Sequence, residues 1–85
     1  MKYYIGKIAN LYGEVHINST VRFATNRDPS EFLDELASKF WGDVAVKNDG
    51  YWDFDNGVST QSMFPKEISK EVFDALDGVV YLQSL

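Results

Sequence analysis

Residues 14–25, EVHINSTVRFAT, decide the class of fold. The odd positions from Val15 to Thr25 are mostly apolar, whereas the even positions from Glu14 to Ala24 are mostly polar. This period-two alternation is typical of a β-strand that buries one face. Asn18-Ser19 could break the stretch into two short strands. The parity continues unchanged across them, however, and a turn need not preserve it, so we expect one long strand.

The flanking segments extend this pattern in both directions. On the N-terminal side, KYYIGKIAN (residues 2–10) has the tyrosines and isoleucines of a strand, and Leu11-Tyr12-Gly13 predicts a bend. On the C-terminal side, Asp28 suits a helix N-cap, Pro29 the first helical position and Glu31 a capping box. The apolar stripe of this helix consists of Phe32, Leu33, Leu36, Ala37, Phe40 and Trp41, and Gly42 ends it.

Residues 44–62 predict a three-stranded meander. Strands are expected over 44–47, 51–55 and 58–62, separated by the turn residues Asn48-Asp49-Gly50 and by Asn56-Gly57. In the middle strand Trp52 and Phe54 share one face, and the residues Tyr51, Asp53 and Asp55 share the other.

The last segment predicts a helix and a strand. FPKEISKEVFDALDG (residues 64–78) is interpreted as a helix that starts at Pro65 and ends at Gly78, followed by a strand over 79–82. The predicted order is therefore β-β-α-β-β-β-α-β, in one α+β domain spanning residues 1–85. We expect an antiparallel or mixed sheet with both helices packed on one face.

Composition narrows the functional classes. The 85 residues include no cysteine, which leaves no thiolate for a disulfide or a metal site, while 45% hydrophobic residues supply a core. No apolar run approaches the ~20 residues of a membrane span, and the N-terminus does not resemble a signal peptide. We expect a cytoplasmic protein without membrane contact.

Catalytic and metal sites find little support. DGYWDFDNGV (residues 49–58) does not fit a calcium loop, because its glycine comes too early and the final glutamate is missing. His16 is the only histidine, on the polar side of a strand. The sequence therefore predicts no enzyme, no cofactor and no metal.

Direct binding of nucleic acid is not expected either. A stacking platform would need the four basic residues of the N-terminal third together with Tyr3, Tyr4 and Tyr12. The chain nevertheless has a net charge of −5, whereas nucleic-acid-binding domains are usually basic.

The charge is unevenly distributed along the chain. Residues 1–27 carry four basic side chains and one acidic side chain, whereas residues 28–85 carry four and twelve. An excess of acidic residues of this size serves solubility in many small domains. Alternatively, it forms an acidic surface for a basic partner. The residues predicted to contact such a partner are Asp49, Tyr51, Asp53, Asp55, Glu31, Asp34 and Glu35.

The favoured hypothesis is a small, acidic, non-enzymatic protein that inhibits a nucleic-acid-handling protein or nuclease by covering its basic surface. By type, such proteins include phage or plasmid anti-defence proteins (anti-CRISPR and antirestriction proteins) and nuclease-immunity proteins. The alternative is a structural or regulatory adaptor that binds another protein through a sheet edge or an aromatic patch. A homodimer formed through an exposed edge is compatible with either hypothesis.

Overall fold

The computed structural model describes residues 1–42, 45–48 and 50–76, and the backbone of residues 81–84. The elements are β1 (Lys2–Tyr12), β2 (Val15–Thr25), α1 (Pro29–Ser38), β3 (Ala45–Asn48), β4 (Tyr51–Phe54), β5 (Ser59–Ile68), α2 (Lys70–Ala75) and β6 (Tyr81–Ser84). The described strands form one antiparallel sheet in the order β3-β4-β5-β1-β2-β6. The predicted α+β class and element order are confirmed.

β1 and β2 form the long hairpin at the centre of the sheet. They pair without interruption from Lys2 opposite Thr25 to Tyr12 opposite Val15. Gly13 closes the turn at a φ of 61°, a conformation that glycine adopts without steric cost. The single long strand predicted from the alternation is therefore confirmed.

The core lies between this hairpin and α1. Leu33 and Ala37 of the helix are completely buried against the face that carries Tyr4, Ile8 and Phe23. Gly6 allows the helix to approach closely, because a Cβ atom at this position would lie 2.6 Å from Cδ2 of Leu33.

A buried amide joins several elements at the far end of this core. Asn10 Oδ1 accepts hydrogen bonds from Trp41 Nε1 at 2.8 Å and from Thr60 Oγ1 at 3.0 Å. Its Nδ2 donates to the carbonyl of Ile17 at 3.1 Å. Because the amide satisfies groups from β2, β5 and the segment after α1, it fixes their positions around β1.

β5 contains a bulge that the sequence analysis missed. Lys7 of β1 pairs with Met63, and Ile5 pairs with Lys66, so Phe64 and Pro65 together oppose one residue of β1. Proline suits a bulge because it has no N–H to donate to the ladder. The predicted helix start at Pro65 is therefore wrong.

α2 begins after this strand and is short. The Ser69 hydroxyl caps it by accepting a hydrogen bond from the N–H of Val72 at 3.2 Å. The predicted helix end at Gly78 lies outside the described residues.

The two helices contact opposite faces of the sheet. The ring of Phe73 in α2 lies 4.9 Å from that of Tyr3, and the Arg22 guanidinium lies 4.3 Å above it. Tyr3 and Arg22 alternate with Tyr4 and Phe23, which face α1. The expectation that both helices share one face is therefore wrong. The cause is that β5 continues to Ile68, opposite Tyr3, so that α2 starts beyond the strand and packs through Phe73.

Candidate functional site

The structure divides the predicted partner-binding residues between different surfaces. Glu31, Asp34 and Glu35 belong to α1, above one face of the sheet. Tyr51 and Asp53 point to the opposite face, because they alternate along β4 with Trp52. The indole of Trp52 donates a hydrogen bond to Asp34 of α1. Asp55 is exposed in the turn that follows β4. Asp49 lies outside the described residues.

Asp34 is bound within the protein. Its Oδ1 accepts hydrogen bonds from Lys47 Nζ and Trp52 Nε1, both at 3.1 Å, and from Ser62 Oγ at 3.4 Å. These donors come from β3, β4 and β5, so the carboxylate fastens α1 to the meander. A residue with three internal partners contributes mainly to the fold.

Glu35 is also paired within the chain. Its carboxylate lies 2.8 Å from Arg27 Nη1 and 3.5 Å from Lys39 Nζ, which is its (i, i+4) neighbour on the helix. The hydrogen bond and the charge of Arg27, with a smaller contribution from Lys39, hold the pKa of Glu35 below its ordinary value. Glu31, by contrast, is exposed.

The lowered pKa of Glu35 predicts a defined pH dependence. Its stabilising contribution should be complete above the ordinary pKa of 4.5 and should be lost as the pH falls through the lowered value in the folded protein. Arg27→Gln should raise the pKa of Glu35 towards 4.5 and flatten this acid limb of the stability profile. An NMR titration of the side-chain carboxyl carbon measures the pKa, with Lys2→Gln as the control. An unchanged Glu35 titration in Arg27→Gln would contradict the assignment.

Asp53 and Asp55, which share one face of the predicted strand, differ in burial and in hydrogen bonding. Asp53 accepts a hydrogen bond from Ser59 Oγ at 2.6 Å and is half-buried. Asp55 is exposed beside the turn in which Asn56 Oδ1 accepts a hydrogen bond from the N–H of Val58 at 3.0 Å. Asp53 is thus bound across β4 and β5, and Asp55 is the freer of the two.

The sheet face opposite α1, which we call the open face, carries two neighbouring clefts. The larger, the Phe64 cleft, has a volume of about 310 Å³ and is lined by Ile5, Gly6, Lys7, Thr20, Phe64 and Lys66. The smaller, the Tyr51 cleft, has a volume of about 210 Å³ and includes Leu11, His16, Tyr51, Gln61 and Met63 in its lining. The two clefts adjoin because Lys7 of the first pairs directly with Met63 of the second.

Phe64 is the most unusual residue of the open face. Its side chain is 82% exposed, although phenylalanine normally gains by burial. Its φ of 48° is the only positive value for a residue other than glycine in the part of the chain that the structure describes. The following Pro65 restricts its backbone further. Exposed aromatic residues in strained backbone are typical of binding sites.

Phe64 is not predicted as a surface residue of a strand, because FPKE is typical of the beginning of a helix. The signal that would have found it is the continuing strand character of Met63 and Ile68 on either side.

The charged strand residues of the open face are mainly basic. Lys7 and Lys66 border the Phe64 cleft, and Arg22 lies beneath α2, where its Nη1 donates to the carbonyl of Phe73 at 2.8 Å. Asp53 lies at the β4 side. The strand residues of the open face are therefore positive on balance, whereas the whole chain has a net charge of −5.

The three tyrosines that a nucleic-acid stacking platform would need do not come together. Tyr4 is buried in the core, Tyr3 packs against Phe73, and Tyr12 is exposed at the end of the β1–β2 hairpin. These three tyrosines therefore do not form a stacking platform.

The sheet edge formed by β3 bears on the homodimer hypothesis. This strand is four residues long and carries Lys47, whose Nζ lies 3.1 Å from Asp34. Short, charged edge strands are poor templates for pairing with a second chain. Dimerisation through an edge stays a prediction.

Comparison of the chain with protein-family models, with curated proteins and with solved structures yields no match. Within the described ranges, no three acidic or histidine side chains are grouped so that they could hold a metal ion. None of the helices there is long and apolar enough to cross a membrane. The surface of the protein is therefore the guide to its function.

Proposed function

We propose that this protein is a non-enzymatic protein-binding module that docks its partner on the open face. The observation that carries the proposal is Phe64, an exposed aromatic residue held at positive φ beside an apolar cleft. Protein interfaces are anchored by aromatic residues that fill or border pockets. This proposal corresponds to the adaptor alternative, with an aromatic patch as the contact.

The arrangement of the sheet supports this use of the open face. α1 packs on the other face, and α2 contacts β1 through Phe73 at the Tyr3 end. Phe64 and Tyr51 thus border clefts that extend along β1 and β5. β1 is paired on both sides, which restrains the β1 side of the clefts before binding and limits the entropy lost there in a complex.

Site-specific photo-crosslinking tests the proposal. A photoreactive amino acid replaces Gln61, in the Tyr51 cleft, or Ser30, which is exposed on α1, and irradiation follows in lysate of the producing cells. We expect a discrete crosslinked protein from position 61, greatly reduced at position 30 and abolished when Phe64→Ser is added. Equal products from both positions, or products insensitive to Phe64→Ser, would contradict docking on the open face.

A second candidate is the acidic inhibitor that covers a basic, nucleic-acid-binding surface, of the anti-defence or nuclease-immunity type. It is favoured by the exposure of Glu31 and Asp55 together with the net charge of −5. It is weakened by Asp34 and Glu35, whose carboxylates already have cationic partners within the chain. Such a complex would form faster at low salt through electrostatic steering.

The two candidates respond to different variants. Asp53→Asn combined with Asp55→Asn should abolish capture of a partner if the protein is the acidic inhibitor. The same double variant should leave crosslinking from position 61 nearly unchanged if the partner docks through the aromatic patch.

A further inference from the structure

We infer that the Phe64 cleft binds an apolar side chain flanked by carboxylates, in an acidic segment of the partner protein. This inference rests on the proposed function and specifies the chemistry of the partner. Its basis is the combination of an apolar lining with two lysines at the rim.

The lining of the cleft suits an apolar side chain. Ile5 and Phe64 provide hydrocarbon surface, and Gly6 lines the cleft through its backbone. The volume of about 310 Å³ lies at the lower end of the range of roughly 300–1,000 Å³ typical of ligand pockets. A single large side chain with its neighbouring backbone matches this size better than a bulky cofactor does.

The lysines at the rim have charges that the described residues do not neutralise. Lys39, Lys47 and Lys70 each form an ion pair with a carboxylate on the protein surface. Lys7 and Lys66 are exposed and form no ion pair with any other residue in the described ranges. In a chain with more acidic than basic residues, two such cations beside an apolar cleft are suited to carboxylates from outside.

The charge distribution favours an acidic protein segment over single-stranded nucleic acid. A strand carries one phosphate at every nucleotide, and binding it requires a continuous basic track. Here two lysines border the cleft, whereas the complete chain is strongly acidic. A segment with one carboxylate on each side of an apolar residue matches this short spacing of charge.

NMR titration of the full chain tests the inference with three probes. They are a capped hexapeptide Asp-Glu-Leu-Leu-Asp-Glu, its counterpart with lysine at each acidic position, and a single-stranded oligothymidylate. We expect saturable amide shifts around Ile5, Lys7 and Lys66 with the acidic peptide alone. Lys7→Gln with Lys66→Gln should weaken binding about tenfold, the combined effect of two exposed ion pairs. The control Lys2→Gln with Lys39→Gln changes the net charge equally but should leave the affinity nearly unchanged.

The other outcomes overturn the inference in distinguishable ways. Equal binding of the lysine peptide would remove the role of the two lysines, and tighter binding of the oligonucleotide would make the cleft a nucleic-acid site. Absence of peptide binding, with crosslinking from position 61 retained in Lys7→Gln/Lys66→Gln, would overturn the partner chemistry and leave the proposed function standing. If the protein with its native Lys7 and Lys66 gives no crosslink specific to position 61, both the inference and the proposed function are refuted.

Discussion

Gly6→Ala is expected to lower the free energy of unfolding by roughly 1–3 kcal/mol, the usual cost of overpacking a core. The added Cβ would lie 2.6 Å from Cδ2 of Leu33 and 3.4 Å from Cε1 of Phe23. Leu33 is completely buried, so in a close-packed core its side chain can move away from the new methyl group only by displacing its neighbours. Urea denaturation monitored by tryptophan fluorescence measures the change.

The clash also predicts strong coupling between the two positions. Leu33→Ala alone should cost roughly 3–5 kcal/mol through lost burial and the cavity left behind. In the double variant the new methyl group on residue 6 occupies part of that cavity, so the combined loss should be smaller than the sum by about 1 kcal/mol or more. Leu33→Ala combined with Val46→Ala, an exposed position on β3, provides the additive control. Additivity in the Gly6 pair would show that α1 does not pack on Gly6 as described.

The parts of the fold predicted correctly from sequence are those specified by local patterns. The alternation in residues 14–25 predicts β2, and Asp28 and Pro29 predict the start of α1. Pro65 shows the limit of this approach, because proline is equally suited to a helix start and to a bulge. The choice depends on the pairing of Met63 and Lys66 with β1, which is separated from them by more than half of the chain.

The candidate site shows the same limit for side chains. The helical pattern places Asp34 opposite the apolar stripe and therefore predicts exposure. Its internal role depends on Lys47 and Trp52, which the meander brings beneath α1. Strand parity alone places Tyr51 on the face opposite Trp52, but which face is open depends on the packing of α1. The exposure of Phe64 follows from the bulge.

Phe64→Gly should reduce binding of the partner while leaving the fold intact. An aromatic anchor at an interface typically contributes about 2 kcal/mol or more, which corresponds to a loss of affinity of about thirtyfold. The ring is 82% exposed, so its removal forfeits little burial within the chain. Glycine also adopts a φ of 48° without the steric cost that a side chain incurs.

Phe64→Ala is the matched control, because it removes the ring but keeps a Cβ atom at positive φ. In an ordinary strand position glycine is less stable than alanine by roughly 0.5–1 kcal/mol. At residue 64 the order should reverse, with the glycine variant the more stable by up to about 1 kcal/mol, while both variants lose the crosslink from position 61. If the alanine variant is instead the more stable of the two, Phe64 is not strained. Retained crosslinking in both variants would show that the exposed ring does not anchor the partner. A glycine variant that is more stable than the alanine variant, with binding lost in both, is what a strained residue retained for recognition should produce.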